Sequence, residues 1–411
     1  MNEPMIRARV GRRGLLVGGA GAGVAALVAG AHSDARAETV AAPGPNFSPY
    51  GLHQQALLNE PPAAAAVICV DVITDRRTEL VELFRTISER VRRLAGGEPV
   101  PVSDPSLSPE DSGILGPTVT GGRVGCVLGV GASLFDDRFG LANRRPSGLT
   151  RMRTFPNDDL DPELCDGDLS LQLTGAAPDI VLHAVRDLTK HTRGGIQPRW
   201  RIDGFAPPAR PDGAPRNLLG FKDGTSNPAT DPATLGRLIW AANDGSQPAW
   251  AAGGTFQVVR IIRNLVEFWD RVSLQEQELM FGRRRDDGAP LDGDQETDAP
   301  RFDRDPRGQV IPLDAHIRLA NPRTPKTDGS RILRRSWNYD LGLDRNGQLN
   351  QGTLFTCYQQ DLQRQFEAVQ TRLIDEPLTD YISPVGGGYF YVLPGLADTQ
   401  DHFGRALFEG R

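Results

Sequence analysis

Short apolar runs alternate with longer amphipathic stretches along this chain, and the alternation occurs twice. Ala66-Val67-Ile68-Cys69-Val70-Asp71-Val72 is almost wholly apolar, the pattern of a strand buried on both faces. Leu80, Leu83, Phe84, Ile87 and Val91 then recur three or four positions apart, which predicts a helix over 77–94 with one apolar stripe. Further strands are predicted at 123–130, 169–173 and 199–203, with a second amphipathic helix over 180–190. The pattern then returns: a strand at 254–262, a helix over 265–281, strands at 330–339 and 353–358, a helix over 361–374, and a Gly-rich aromatic strand at 387–393. Each half reads strand, helix, strand, strand, helix, strand. The fold class is therefore α+β, with two ferredoxin-like units whose sheets can pack around a core or a ligand space.

The flanks of this pattern set the organisation. Arg12-Arg13 precede a soft Gly/Ala/Val/Leu stretch, and Ala35-Arg36-Ala37 offers small residues at the positions a signal peptidase reads. Residues 1–37 thus read as a removable twin-arginine export signal, which leaves no stable membrane insertion afterwards and places the chain in a periplasm or outside the cell. Residues 38–62 are Pro/Ala-rich and predict an extended arm; 63–215 form the first unit and 216–411 the second. Gly (46) and Pro (32) make up about a fifth of the 411 residues, so long ordered loops are expected. The longest, 283–312, is dense in Arg, Asp, Gly and Pro; so long a loop in a compact domain is more often functional than idle. A formal net charge of −6 with no basic run argues against nucleic acid as a partner. Cys69, Cys126, Cys165 and Cys357 lack metal-type spacing, and three of them sit in apolar runs as small hydrophobes.

Histidine is scarce. With His32 in the signal, His53, His183, His191, His316 and His402 remain. His316 lies in Leu313-Asp314-Ala315-His316-Ile317-Arg318, directly after the polar loop; by itself that setting also suits a satisfied core histidine. Gly220-Phe221-Lys222-Asp223-Gly224-Thr225-Ser226-Asn227-Pro228 places an acid between glycines, which permits close backbone approach to a flat ligand, although Asp-Gly is also an ordinary turn. Arg334-Arg335 fall in a predicted strand, where an inward-pointing guanidinium needs an anionic partner.

Taken together, these segments resemble the dye-decolorising peroxidase family. Gly220-Phe221-Lys222-Asp223-Gly224 resembles its GxxDG signature, and the His316 and Arg334 segments follow in the family's order. Gly386-Gly387-Gly388-Tyr389-Phe390 resembles its closing strand, and the stretch from Gly282 to Leu291 is similar to the exported deferrochelatase/peroxidase subgroup. The resemblance implies a dimeric α+β barrel with haem b in the C-terminal half. It implies His316 as the proximal iron ligand, with Asp380 hydrogen-bonding the other imidazole nitrogen. It further implies Asp223 as the acid/base acting on hydrogen peroxide and Arg334 as fixed positive charge beside it. Gly224, Thr225 and Ser226 would line the haem, with Arg283, Asn321, Pro322 and Arg323 near it and the arginines facing propionates. Ser336 stands where some relatives carry Asn, so the resemblance does not extend to that distal hydrogen-bonding position. Trp240, Trp269, Trp337, Tyr389 and Tyr391 are candidate radical relays, although core packing is the better explanation of each.

The activity implied is oxidation of dyes, phenols or other small reducing donors by hydrogen peroxide through an oxo-ferryl intermediate. The alternative is a deferrochelatase or haem-handling role in iron uptake, with homo-oligomerisation and iron-uptake partner proteins left open. A non-enzymatic binding barrel is a third reading, against which the presence of both Asp223 and Arg334 argues, because a storage pocket needs neither.

Overall fold

In the first half, β1 (Ala64–Val72), α1 (Arg77–Gly96), β2 (Gly125–Gly131), β3 (Leu169–Gly175), α2 (Pro178–His191) and β4 (Ile196–Phe205) follow the expected order. The computed structural model describes residues 45–97, 104–116 and 122–409; the export signal and the start of the arm lie outside them. The described part of the arm carries a 3-10 turn at Gln55–Leu58. The second half comprises α3 (Pro232–Leu238), β5 (Thr255–Asn264), α4 (Val266–Trp269), α5 (Leu274–Phe281) and α6 (His316–Ala320). It continues with β6 (Leu333–Arg334), β7 (Trp337–Leu343), β8 (Leu349–Gln359), a π-helical turn at Leu362–Glu367, α7 (Ala368–Arg372) and β9 (Ile382–Val392).

Strand pairing closes on itself: β5-β9-β2-β3-β1-β4-β7-β8, with β8 returning to β5. The closed ring has eight antiparallel strands, and the short β6 extends the edge of β8. Within each half the order is that of a ferredoxin-like sheet, β4-β1-β3-β2 and β9-β5-β8-β7. The halves join at two seams, β2 with β9 and β4 with β7. At the second seam a Cβ on Gly204 would lie 2.6 Å from Cβ of Trp337, so only glycine fits there.

Side-chain parity divides each strand between two environments. Val67, Cys69, Ile202, Val259, Ile261, Leu354 and Phe390 pack together inside the barrel. Their neighbours Ile68, Val70, Leu128 and Leu171 face outward and pack under Leu80, Phe84, Ile87 and Leu188 of α1 and α2. The second half breaks this symmetry. The outward residues Arg260, Ile262 and Asn264 of β5 and Thr353 and Phe355 of β8 line a cavity, covered by short helices instead of two long ones.

Two helices depart from the sequence reading for local reasons. The helix expected over 265–281 is split into α4 and α5, because Ser273 adopts an extended conformation and its side chain caps the Glu276 amide. The helix expected over 361–374 opens with a π turn; buried Gln365 there donates to the Leu238 and Arg331 carbonyls at 2.9 and 2.7 Å. The strand expected over 330–339 is β6 plus β7, which share one register on β8 with a gap at Arg335-Ser336.

Candidate active site

His316 opens α6, at the point where the long polar loop turns back toward the sheet. Its Nδ1 donates to Oε2 of Glu376 at 2.6 Å, and that carboxylate keeps only 3% of its side-chain surface exposed, against 29% for His316. Burial alone would lower the His316 pKa; the charge and hydrogen bond of Glu376 outweigh it and raise the pKa above the usual imidazole value. A carboxylate at Nδ1 keeps a proton on that nitrogen and leaves the Nε2 lone pair free toward the cavity. The expectation that Asp380 fills this role is therefore corrected. Glu376 stands immediately before the 3-10 turn Pro377–Asp380, whereas Asp380 ends that turn and is exposed. One turn of chain separates the two acids, and only the buried one faces the imidazole. Glu376→Gln should retain a folded chain but weaken haem affinity by about 10- to 100-fold, read by haem titration; an unchanged affinity would remove Glu376 from the site.

Asp223 and Arg334 line the same cavity as His316. Asp223 sits in a turn flanked by Gly220 and Gly224, with φ of +91° and +112°, which an L side chain rarely adopts. Arg334 Nη1 donates to Asp223 Oδ1 at 2.6 Å. Their spacing is set by a residue that sequence reasoning did not single out. The Asn227 side chain accepts from the Arg334 amide at 2.9 Å and donates to the Arg334 carbonyl at 3.1 Å, imitating a paired strand. The Asp223 turn and the Arg334 strand are thereby tied together through both backbone groups of one residue.

The cavity has a volume of about 250 Å³ and apolar walls that include Phe221, Phe281, Ile317, Phe355, Phe366 and Leu378. A polar space of about 520 Å³ adjoins it, sharing Thr225, Ser226, Arg283, Asn321 and Arg323. Arg283 donates to the Gly288 and Glu296 carbonyls at 2.6 and 2.8 Å and to Ser226 Oγ at 3.3 Å. Among the described residues neither Arg283 nor Arg323 forms a salt bridge. Burial, then the nearby Arg323 charge, lowers the Arg283 pKa. Of the expected lining residues Gly224, Thr225, Ser226, Arg283, Asn321 and Arg323 are found there, while Pro322 is not.

An apolar slot beside two guanidiniums that form no salt bridge, with an imidazole Nε2 inside, suits a flat apolar ligand bearing carboxylates. His316 is the single imidazole among the described residues that line the cavity, which suits a metal already held by a macrocycle. These are the requirements of haem, and the residues present fit them. The barrel and its site thus define a haem-dependent oxidoreductase.

Comparison with known proteins narrows the class. Residues 54–206 match the family model for the Dyp-type peroxidase N-terminal region, and residues 214–397 match that for the C-terminal region. The chain belongs to the Dyp-type peroxidase family. It is 47% identical to a protein named deferrochelatase from Yersinia pestis, over 88% of this chain and 84% of that one. The deferrochelatase of Escherichia coli strain K12 is 46% identical over 87% of this chain and 86% of its own length. Among solved structures, a DyP-type peroxidase from Cellulomonas bogoriensis superposes with a TM-score of 0.79 at 34% identity, covering 90% of this chain and all (100%) of that one.

Proposed function

We propose that this chain reduces hydrogen peroxide at a haem held by His316 and oxidises a small reducing donor. The observation that carries this reading is the Asp223–Arg334 contact of 2.6 Å in the same cavity as the His316–Glu376 pair. When bound, haem supplies an iron that takes up the oxidising equivalents of peroxide and passes them to the donor. His316 Nε2 would hold the iron, Glu376 would keep the Nδ1 proton in place, and Arg283 and Arg323 would face the propionates. Asp223 accepts a proton from one peroxide oxygen and returns it to the other as that oxygen leaves. Arg334 remains charged throughout and steadies the negative charge that develops as the O–O bond parts. Asn227 holds the Arg334 backbone so that the guanidinium meets both the carboxylate and the peroxide.

The test is a stopped-flow visible spectrum of the haem-loaded protein mixed with one equivalent of hydrogen peroxide. A Soret change within milliseconds supports the reading; a band that does not respond while haem stays bound defeats it.

A second reading draws on the relatives at 46 and 47% identity that carry the name deferrochelatase. In it the same pocket takes haem as substrate, two protons replace the iron on the pyrrole nitrogens, and the iron and the intact porphyrin leave. Incubation with haem should then release metal-free protoporphyrin, detected by its fluorescence, and its absence under conditions where haem binds argues against iron retrieval. Export by the twin-arginine route, read from Arg12-Arg13 and Ala35-Arg36-Ala37, suits a protein that folds around haem before translocation.

A further inference from the structure

We propose that Glu296 is a positioning residue for Asp223, the catch by which the polar loop after α5 holds the Asp223 turn in its working geometry. The proposal rests on the proton-transfer role assigned to Asp223 above.

On its N-terminal side the turn is tied mostly by backbone pairs, helped by the Asn217 side chain, which accepts from the Phe221 amide at 3.1 Å, and by Arg216, which donates to the Gly220 carbonyl at 2.9 Å. The Asp223 amide donates to the Pro215 carbonyl at 2.9 Å, and the Asn217 amide to the Phe221 carbonyl at 2.9 Å. Around and beyond Asp223, where Gly224 takes a positive φ, side chains take over. Lys222 Nζ donates to Glu296 Oε2 at 2.6 Å, and Thr225 Oγ1 donates to Glu296 Oε1 at 2.7 Å. The residue just before Asp223 and the residue two after it therefore end on the two oxygens of one carboxylate. The Ala214 amide adds a third bond to Oε1 at 3.1 Å, linking the turn to the strand-like segment it pairs with.

The setting leaves this carboxylate little freedom. Lys222 keeps 2% of its side-chain surface exposed and Glu296 13%; the other acid near Lys222, Asp212 at 3.7 Å, is 90% exposed. Glu296 is thus the buried counter-charge of a buried ammonium. A Cβ on Gly213 would lie 1.9 Å from Glu296 Oε2, and one on Gly288 would lie 2.7 Å from Lys222 Cδ. Glycine at both positions lets the loop and the turn close on each other. Burial alone would raise the Glu296 pKa, but the bonds from Lys222, Thr225 and Ala214 lower it below the ordinary value, so the ionised form is the one that holds the turn.

A proton shuttle depends on placement, and a displacement of about 1 Å costs on the order of 100-fold in rate. The test uses the haem-loaded protein, with Glu296→Ala, Asp223→Asn and the double variant, and reads the second-order rate of the Soret change with hydrogen peroxide. Haem stoichiometry, melting temperature and the donor KM are measured on the same samples. Glu296→Ala should bind haem fully, keep the donor KM and lose about tenfold or more in peroxide rate. In the Asp223→Asn background the same substitution should change the rate by less than about twofold, because no shuttle remains to be positioned. A purely structural role predicts losses that multiply in the double variant, and that outcome overturns the proposal, as does a wild-type rate in Glu296→Ala. If Asp223→Asn itself runs at the wild-type rate, the reading of Asp223 has failed instead. Should Glu296→Ala not fold, Thr225→Val breaks one bond and spares the Lys222 pair; it should slow the reaction by about threefold in the Asp223 background only, and an unchanged rate sinks the catch.

Discussion

Replacing His316 by alanine is expected to abolish stable haem loading while leaving a folded barrel. Alanine is the best helix former, so the five-residue α6 survives the change. Among the described residues no other histidine lines the cavity. His53 is bonded to the Gly253 carbonyl, His183 to Ser112 Oγ, His191 to the Asp187 carbonyl and His402 to the Phe403 carbonyl. With no second imidazole to replace the ligand, the loss should exceed the about 100-fold that removing an outer partner of such a ligand costs. The measurement is Soret absorbance per chain after reconstitution and gel filtration, beside a far-ultraviolet circular dichroism spectrum. A variant that folds and retains a full complement of haem shows that His316 is not the ligand. The substitution also strands Glu376 in a buried position, so the haem-free variant should melt earlier than the haem-free parent chain.

Asp223→Asn should leave haem binding intact and slow the reaction with peroxide by about 100- to 10,000-fold. The side chain keeps its shape and still accepts a hydrogen bond from Arg334, but an amide oxygen does not take a proton from peroxide and hand it on. Stopped-flow rates across a peroxide series give the second-order constant directly. Arg334→Leu is the companion: it leaves Asp223 without its cationic neighbour and removes the charge that steadies the departing oxygen. Wild-type rates in Asp223→Asn would show that the carboxylate lines the pocket without acting in it.

The halves of the fold were legible along the chain because strand and helix have different periods. The apolar run 66–72 and the stripe Leu80, Leu83, Phe84, Ile87 and Val91 mark β1 and α1 without any long-range information. Local chemistry also marked the Asp223 turn, since glycines at 220 and 224 serve backbone angles that other residues resist. Even the split between α4 and α5 has a local signal in Ser273, a helix cap that falls inside the single helix expected over 265–281.

Which side chains meet was a different matter. Glu376 reaches His316 across 60 positions, Asn227 reaches Arg334 across 107, and Arg334 reaches Asp223 across 111. Asp380 and Glu376 differ little as sequence: two acids four residues apart beside Pro377. The turn at Pro377–Asp380 buries one and exposes the other, and the helix carrying His316 is packed against the buried one. Closure of the barrel is likewise a tertiary event, since β8 must pair with both β5 and β7 and β9 with both β5 and β2. The chain's own pattern determined the elements, because propensity and periodicity act over neighbouring residues. Only the packed barrel decided the site, because register and burial bring distant residues within hydrogen-bond range.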